Sequence, residues 1–299
     1  MKSTGSWYLV KTDTRQFQCR VKGKLRLKGY KTTNPIAVGD WVQFEKENND
    51  KGIINDIIPR NNFINRKSPN KSKETHMIAA NVDQAILLAT VVYPRTSFGF
   101  IDRFTVTTES FRIPTIVIFN KIDILNKELL KLQQEMIETY IQAGYNCFSI
   151  SALQELGLDL VRKMIEGKIN LLAGHSGVGK STLINHFSED INQKVEEVSD
   201  FSQKGVHTTT FAEMFEVSPN TFIIDTPGIK EFGLSDIQEF ELSDYFPEMR
   251  RLRGDCKYHN CRHTQEPKCA VIEAVNSGSI AKTRYYSYLS MLENEDNRG

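Results

Sequence analysis

Up to Ile58 the apolar positions come in short alternating runs. Trp7-Tyr8-Leu9-Val10, Phe17-Gln18-Cys19-Arg20-Val21, Asp40-Trp41-Val42-Gln43-Phe44 and Gly52-Ile53-Ile54-Asn55-Asp56-Ile57-Ile58 read as strands. Asp13, Gly23, Asn34-Pro35, Gly39 and Asn48-Asn49-Asp50 separate them as turns. No helical period lasts long enough there to compete. The pattern predicts a small all-β barrel over residues 1–67, OB-like or SH3-like, followed by a polar linker at 68–75.

After residue 76 the pattern changes to continuous apolar runs alternating with helical ones. Buried strands are expected at 82–92, 115–119, 146–150, 169–173 and 222–224, and helices at 101–112, 127–143, 156–166 and from 182. In 127–143, Leu129, Leu132, Met136, Ile137, Tyr140 and Ile141 share one face, and Gly144 stops the helix. Strands alternating with helices predict an α/β domain with a mostly parallel sheet over 76–235. Residues 236–299 form a mainly helical end. Its last helix, near 280–292, carries Lys282, Arg284, Tyr285, Tyr286 and Tyr288, which either meet RNA or pack inward.

Charge sharpens the division. The net charge of the 299 residues is +1, yet residues 1–75 hold 16 Lys/Arg against 7 Asp/Glu. A basic barrel is the electrostatic footprint of a polyanion-binding module. No run approaches the ~20 apolar residues of a membrane span, and the amino terminus is polar and basic. The expectation is a cytoplasmic protein without membrane contact. Of the five cysteines, Cys256, Cys261 and Cys269 lie close to His263, a set suited to one structural Zn²⁺.

Residues 174–181, Gly-His-Ser-Gly-Val-Gly-Lys-Ser, follow a predicted strand and open a helix, as a phosphate-binding loop must. Its backbone N–H groups and the helix N-terminus favour an anion. Lys180 would reach the β- and γ-phosphates and Ser181 would bind Mg²⁺. Asn120-Lys121-Ile122-Asp123 ends another strand, where the Asp123 carboxylate can accept from the N1–H and exocyclic amine of guanine. Ser151-Ala152, also at a strand end, would add backbone contacts to the base. Asp225-Thr226-Pro227-Gly228 ends a third strand, placing a carboxylate to hold Mg²⁺ through water and the Gly228 N–H near the γ-phosphate. Thr208 or Thr209 would complete the Mg²⁺ shell.

These are the guanine-nucleotide motifs of P-loop GTPases in a rotated order, with the base-reading pair ahead of the phosphate loop. With the basic barrel and the Cys/His cluster, the chain resembles the circularly permuted GTPases of small ribosomal subunit biogenesis, the RsgA family, also called YjeQ or YloQ. The resemblance covers essentially the whole chain. It implies a Mg²⁺-dependent GTP hydrolase, stimulated by the small (30S) subunit and its rRNA, with one structural Zn²⁺; a monomer is expected. Expected GTP contacts are Asn120 to Asp123, Ser151, Ala152, Gly174, His175, Ser176, Gly177, Val178, Gly179, Lys180, Ser181, Thr182, Asp225 and Gly228. Ile229 stands where many GTPases place a water-orienting Gln, and an aliphatic side chain cannot polarise water. His207, in a Gly-x-His-Thr-Thr motif, is the implied catalytic residue, although Val206 replaces the basic residue usual in the family. The other readings are an RNA-binding module with a vestigial nucleotide site and an ATP-using enzyme.

Overall fold

The structure, a computed structural model, describes residues 1–22, 35–48, 50–68, 71–187, 212–226 and 237–293. Thirteen strands occur among them: β1 Lys2–Ser3, β2 Tyr8–Lys11, β3 Gln16–Val21, β4 Val42–Lys46, β5 Lys51–Ile57, β6 Phe63–Ser68, β7 Lys71–Ala80, β8 Gln84–Ala89, β9 Thr115–Phe119, β10 Asn146–Ser149, β11 Ile169–Ala173, β12 Glu213–Ser218 and β13 Thr221–Asp225. The chain divides into two units. One comprises Met1–Ala85, Asp159–Ala173 and Lys180–Glu231, the other Ile86–Leu158, Gly174–Gly179 and Phe232–Gly299.

In the first unit the strand order is β11-β13-β12-β1-β2-β3-β5-β4. The β11–β13 pair is parallel and the β12–β13 pair antiparallel. The two-residue β1 pairs with β12 through Lys2↔Glu213 and with β2 through Lys2↔Leu9, so barrel and α/β strands are hydrogen-bonded neighbours. Lys2 also bridges Glu213 at 2.8 Å, and Lys11 pairs with Glu216. Two residues are too few for alternation to reveal, which is why sequence pattern misses this strand.

The barrel core holds Tyr8, Phe17, Cys19, Ile36 and Ile54. Along β3 the period of two is direct: Phe17 and Cys19 face in, while Gln16, Gln18 and Arg20 are exposed. The polar stretch expected as a linker at 68–75 differs from that expectation. From Lys71 it is strand, in an antiparallel hairpin with Arg66↔His76 and Lys67↔Thr75 opposed. Backbone pairing makes this strand, and its polar composition carries no alternating signal.

Asp40 closes the loop before β4. Its fully buried carboxylate takes both arms of the Arg60 guanidinium at 2.6 Å and the Ala37 N–H at 2.8 Å. Removing one partner of such a pair strands the other charge, at a cost of about 3–5 kcal/mol. Arg60→Met is therefore expected to lower the unfolding free energy by about that amount, measured by urea titration of Trp fluorescence.

In the second unit the order is β10-β9-β8, with β9 and β10 parallel. The helix Phe98–Ser110, capped by Ser97 Oγ, is buried almost all round. The helix Lys127–Ala143 starts at the Asn126 cap and ends at left-handed Gly144. Its buried face is Gln133, Met136, Ile137, Tyr140 and Ala143, whereas Leu132 and Ile141 are exposed. Gln133 is inside because its Oε1 accepts from Ser149 Oγ of β10 at 3.0 Å.

At the carboxyl end, the helices Pro247–Arg250, Ala270–Ser277 and Lys282–Leu292 share a core with Val106 of the helix Phe98–Ser110. In the last helix Arg284 and Tyr288 are buried and Tyr285 is half-buried, while Lys282 and Tyr286 are exposed, so the basic-aromatic set divides between core and surface. Among the described residues, no helix is long and apolar enough to cross a membrane.

Candidate nucleotide site and metal centre

The phosphate loop residues of the second unit are fixed by close backbone approach. Gly174 has φ +151°, and a Cβ there would lie 2.4 Å from Leu88 O at the end of β8. Gly179 has φ +103°, and its Cβ would lie 2.4 Å from Asn120 Nδ2. Only glycine leaves room for that amide, which donates to Val178 O at 2.8 Å. The same side chain accepts from Ala152 N at 2.9 Å, and Asn120 N donates to Ala89 O at 2.8 Å.

Next in the chain, left-handed Lys121 donates from Nζ to Gly177 O at 2.7 Å and to Tyr93 O. Ile122 N donates to Ile150 O. Asp123 Oδ1 is buried and has no hydrogen-bond partner. An orphaned acceptor of this kind costs about 1–3 kcal/mol, and a base with adjacent N–H donors would satisfy it. Ser151 is buried, pairs with Leu156 through its backbone and accepts from Gln154 N at its Oγ. The Ala152 N–H is engaged by the Asn120 carboxamide. His175 lies against Phe100 with ring centroids 3.9 Å apart, a packing contact, while Ser176 and Gly177 are exposed.

The first unit carries the cationic end of the loop. Lys180, Ser181 and Thr182 open the helix Lys180–Phe187, with Ser181 exposed. Asp225 ends β13, and Thr226 Oγ1 donates to Leu172 O at 3.2 Å, tying that end to β11. Burial holds the Lys180 ammonium below its ordinary range against the pull of Asp225. Burial likewise pushes the Asp225 carboxyl up, against Lys180. Asp225 Oδ1 is a second buried acceptor without a partner. A desolvated ammonium, a carboxylate with one unpaired oxygen and an exposed hydroxyl fit phosphate with a divalent cation. His207, Thr208, Thr209 and Gly228 lie outside the described residues.

The ligand atoms of Cys256, Cys261, His263 and Cys269 all lie within 4.8 Å of one another. Individual separations are 3.6 Å for Cys256 Sγ to His263 Nδ1, 3.9 Å for Cys256 to Cys269 and 3.3 Å for His263 to Cys269. A tetrahedron of 2.3 Å metal–sulfur bonds has edges of about 3.8 Å, so the donor set fits one ion. Burial pushes the Cys261 thiol up to about 12, and a bound cation would reverse that preference. Glu266 clamps the loop, accepting from the N–H groups of Arg262, Thr264 and Gln265 at 2.7, 2.9 and 3.1 Å.

Residues 57–235 match the RsgA GTPase family and residues 1–54 the RsgA N-terminal domain. The chain belongs to the RsgA GTPase family. It is 50% identical over 297 residues to small ribosomal subunit biogenesis GTPase RsgA 2 of Bacteroides thetaiotaomicron, covering 99% of this chain and 96% of that protein. Identity to the RsgA GTPase of Flavobacterium johnsoniae is 49%, over 99% and 92% of the two chains. The crystal structure of YjeQ from Thermotoga maritima is similar at a TM-score of 0.77 and 32% identity, with 98% and 95% of the chains covered. That of YloQ, a circularly permuted GTPase, is similar at 0.74 and 28%, covering 100% and 94%. The RsgA architecture accounts for the rotated motif order: β9 and β10, whose ends carry Asn120 and Ser151, precede the phosphate-loop strand β11.

Sequence reasoning missed the bracing role of Asn120 and left open whether Arg284 meets RNA or packs inward, because neither is decided without knowing what lies across from them. Asn120→Ala leaves Val178 O and Ala152 N unpaired in a buried place, at about 1–3 kcal/mol each. Guanine-nucleotide affinity is expected to fall by about tenfold or more, as measured by fluorescence titration with a labelled GDP.

Proposed function

We propose that this RsgA-family chain is a Mg²⁺-dependent GTPase that assists the late maturation of the small ribosomal subunit and is stimulated by it. The observation that carries the reading is 50% identity over 99% of the chain to a small ribosomal subunit biogenesis GTPase, joined to a phosphate loop braced by the Asn120 side chain. Asp123 would read the guanine edge, and its orphaned oxygen supports that role. Lys180 binds the β- and γ-phosphates. Ser181, Asp225 through water and one of Thr208 and Thr209 hold Mg²⁺, which neutralises phosphate charge. One Zn²⁺ organises the Cys256, Cys261, His263 and Cys269 loop. The protein works as a cytoplasmic monomer.

With Ile229 unable to orient water, intrinsic hydrolysis is slow and His207 positions the nucleophile once the subunit is bound. GTP turnover measured with and without purified small subunits tests this, with strong stimulation by subunits expected. Stimulation by tRNA alone, with none by subunits, would defeat the assignment. In the same assay His207→Ala should remove most of the stimulated turnover while leaving nucleotide affinity within a few-fold. Unchanged turnover would exclude His207 from the mechanism. The vestigial-site alternative is not favoured, because Asp123, Lys180, Ser181 and Asp225 all retain the chemistry the site requires.

The barrel supplies the rRNA contact. Exposed Arg20 lies over the Trp7 ring at 4.0 Å and Lys51 approaches the same ring at 5.8 Å, a cation–aromatic set suited to bases and phosphates. Trp7→Ala with Arg20→Ala should weaken co-sedimentation with small subunits by about tenfold, since one stacked base contributes roughly 1–3 kcal/mol. Intrinsic GTP hydrolysis should be unaffected.

A further inference from the structure

Within the second unit, contacts run without a break from the phosphate loop to the Cys/His loop. The His175 ring lies on Phe100, in the first turn of the helix Phe98–Ser110. Two residues on, wholly buried Asp102 accepts at Oδ1 from Tyr140 OH at 2.8 Å and from Arg284 Nη1 at 2.7 Å. Arg284 is itself 1% exposed. It grips Glu248 with Nε at 2.7 Å and Nη2 at 3.2 Å, and it lies 4.7 Å from the Phe246 ring centroid.

Arg284 belongs to the helix Lys282–Leu292, and the same helix reaches the metal loop directly. Tyr285 OH donates to His263 O at 2.8 Å, and Tyr288 OH donates to Arg262 O at 2.6 Å. His263 is one of the four ligands and holds a left-handed φ of 58°, a conformation its surroundings must impose.

We propose that Arg284 is a positioning residue for the nucleotide site, making the seating of the phosphate loop depend on metal loading of the Cys256, Cys261, His263 and Cys269 loop. The inference rests on the nucleotide and metal reading above. One guanidinium faces two carboxylates in a place closed to water, and such an array tolerates no loosened partner. With metal bound, the carbonyls of Arg262 and His263 are fixed acceptors that hold the helix Lys282–Leu292 in register. When the loop opens, Tyr285 and Tyr288 lose those acceptors and Arg284 is free to withdraw from Asp102. The turn that supports His175 then loosens. Linkage makes the effect reciprocal, so nucleotide must tighten metal by the same factor.

The test uses the full chain and labelled GDP. Affinity is titrated before and after zinc extraction, and release is followed with a colorimetric zinc indicator. Wild type is expected to lose about fivefold or more in GDP affinity on extraction. In Tyr285→Phe/Tyr288→Phe, which keeps every charge, and in Arg284→Lys, which loses the fork, loaded and stripped forms should differ by less than about twofold. A second readout needs no stripped protein: saturating GDP should slow zinc release from loaded wild type, and not from the double variant. Equal GDP affinity of loaded and stripped wild type, or an equal loss in wild type and double variant, overturns the proposal. Failure of loaded wild type to bind GDP overturns the nucleotide reading and this inference with it.

Discussion

Asn120 commits both ends of one carboxamide to backbone groups from distant parts of the chain, Val178 O in the phosphate loop and Ala152 N after β10. Its own N–H is held by Ala89 at the end of β8. Three strand ends and the phosphate loop therefore meet at a single buried residue, and the left-handed Gly179 leaves room for its side chain. Lys121 adds a second tie to the loop at Gly177. In a permuted chain, where the base-reading segments arrive before the phosphate loop, these bonds replace proximity in sequence as the device that registers the two halves of a nucleotide site.

Four carboxylate oxygens among the described residues, on Asp102, Asp123, Asp225 and Asp244, are buried without a hydrogen-bond partner, and two of them belong to the candidate nucleotide site. Asp123 Oδ1 and Asp225 Oδ1 are buried without partners, whereas Asn120 and Asn170 nearby in sequence pattern satisfy every polar group they bury. An unpaired buried acceptor calls for an explanation, and at a phosphate loop or base-reading motif a bound ligand supplies one. The same contrast separates Arg284 from the exposed ion pairs of the surface. Arg284 is enclosed by Asp102, Glu248 and three aromatic rings, so its charge is held by geometry that no surface salt bridge requires.

Much of the fold was legible because its elements are long and periodic or carry motifs. The strand Thr115–Phe119 and the helix Lys127–Ala143 were readable to the residue, since apolar runs and a glycine stop mark them. The face of that helix was not, because Gln133 is drawn inside by Ser149 while Leu132 and Ile141 are left outside. The hairpin strand Lys71–Ala80 was hidden for a related reason: backbone pairing alone makes it a strand, and its polar residues resemble a linker.

The sequence by itself determined the chemistry of this protein. Phosphate loop, base-reading motif and Cys/His cluster are local patterns whose spacing is their function, and their order along the chain already marks the permutation. Tertiary structure decided which side chains support that chemistry. Asn120 as a brace, Lys2 as the link between barrel and β12, and Arg284 as a buried clamp depend on groups roughly 30 to 200 residues away. A single chain read in order holds no record of such partners, because hydrogen bonds and desolvated charges are properties of pairs in space.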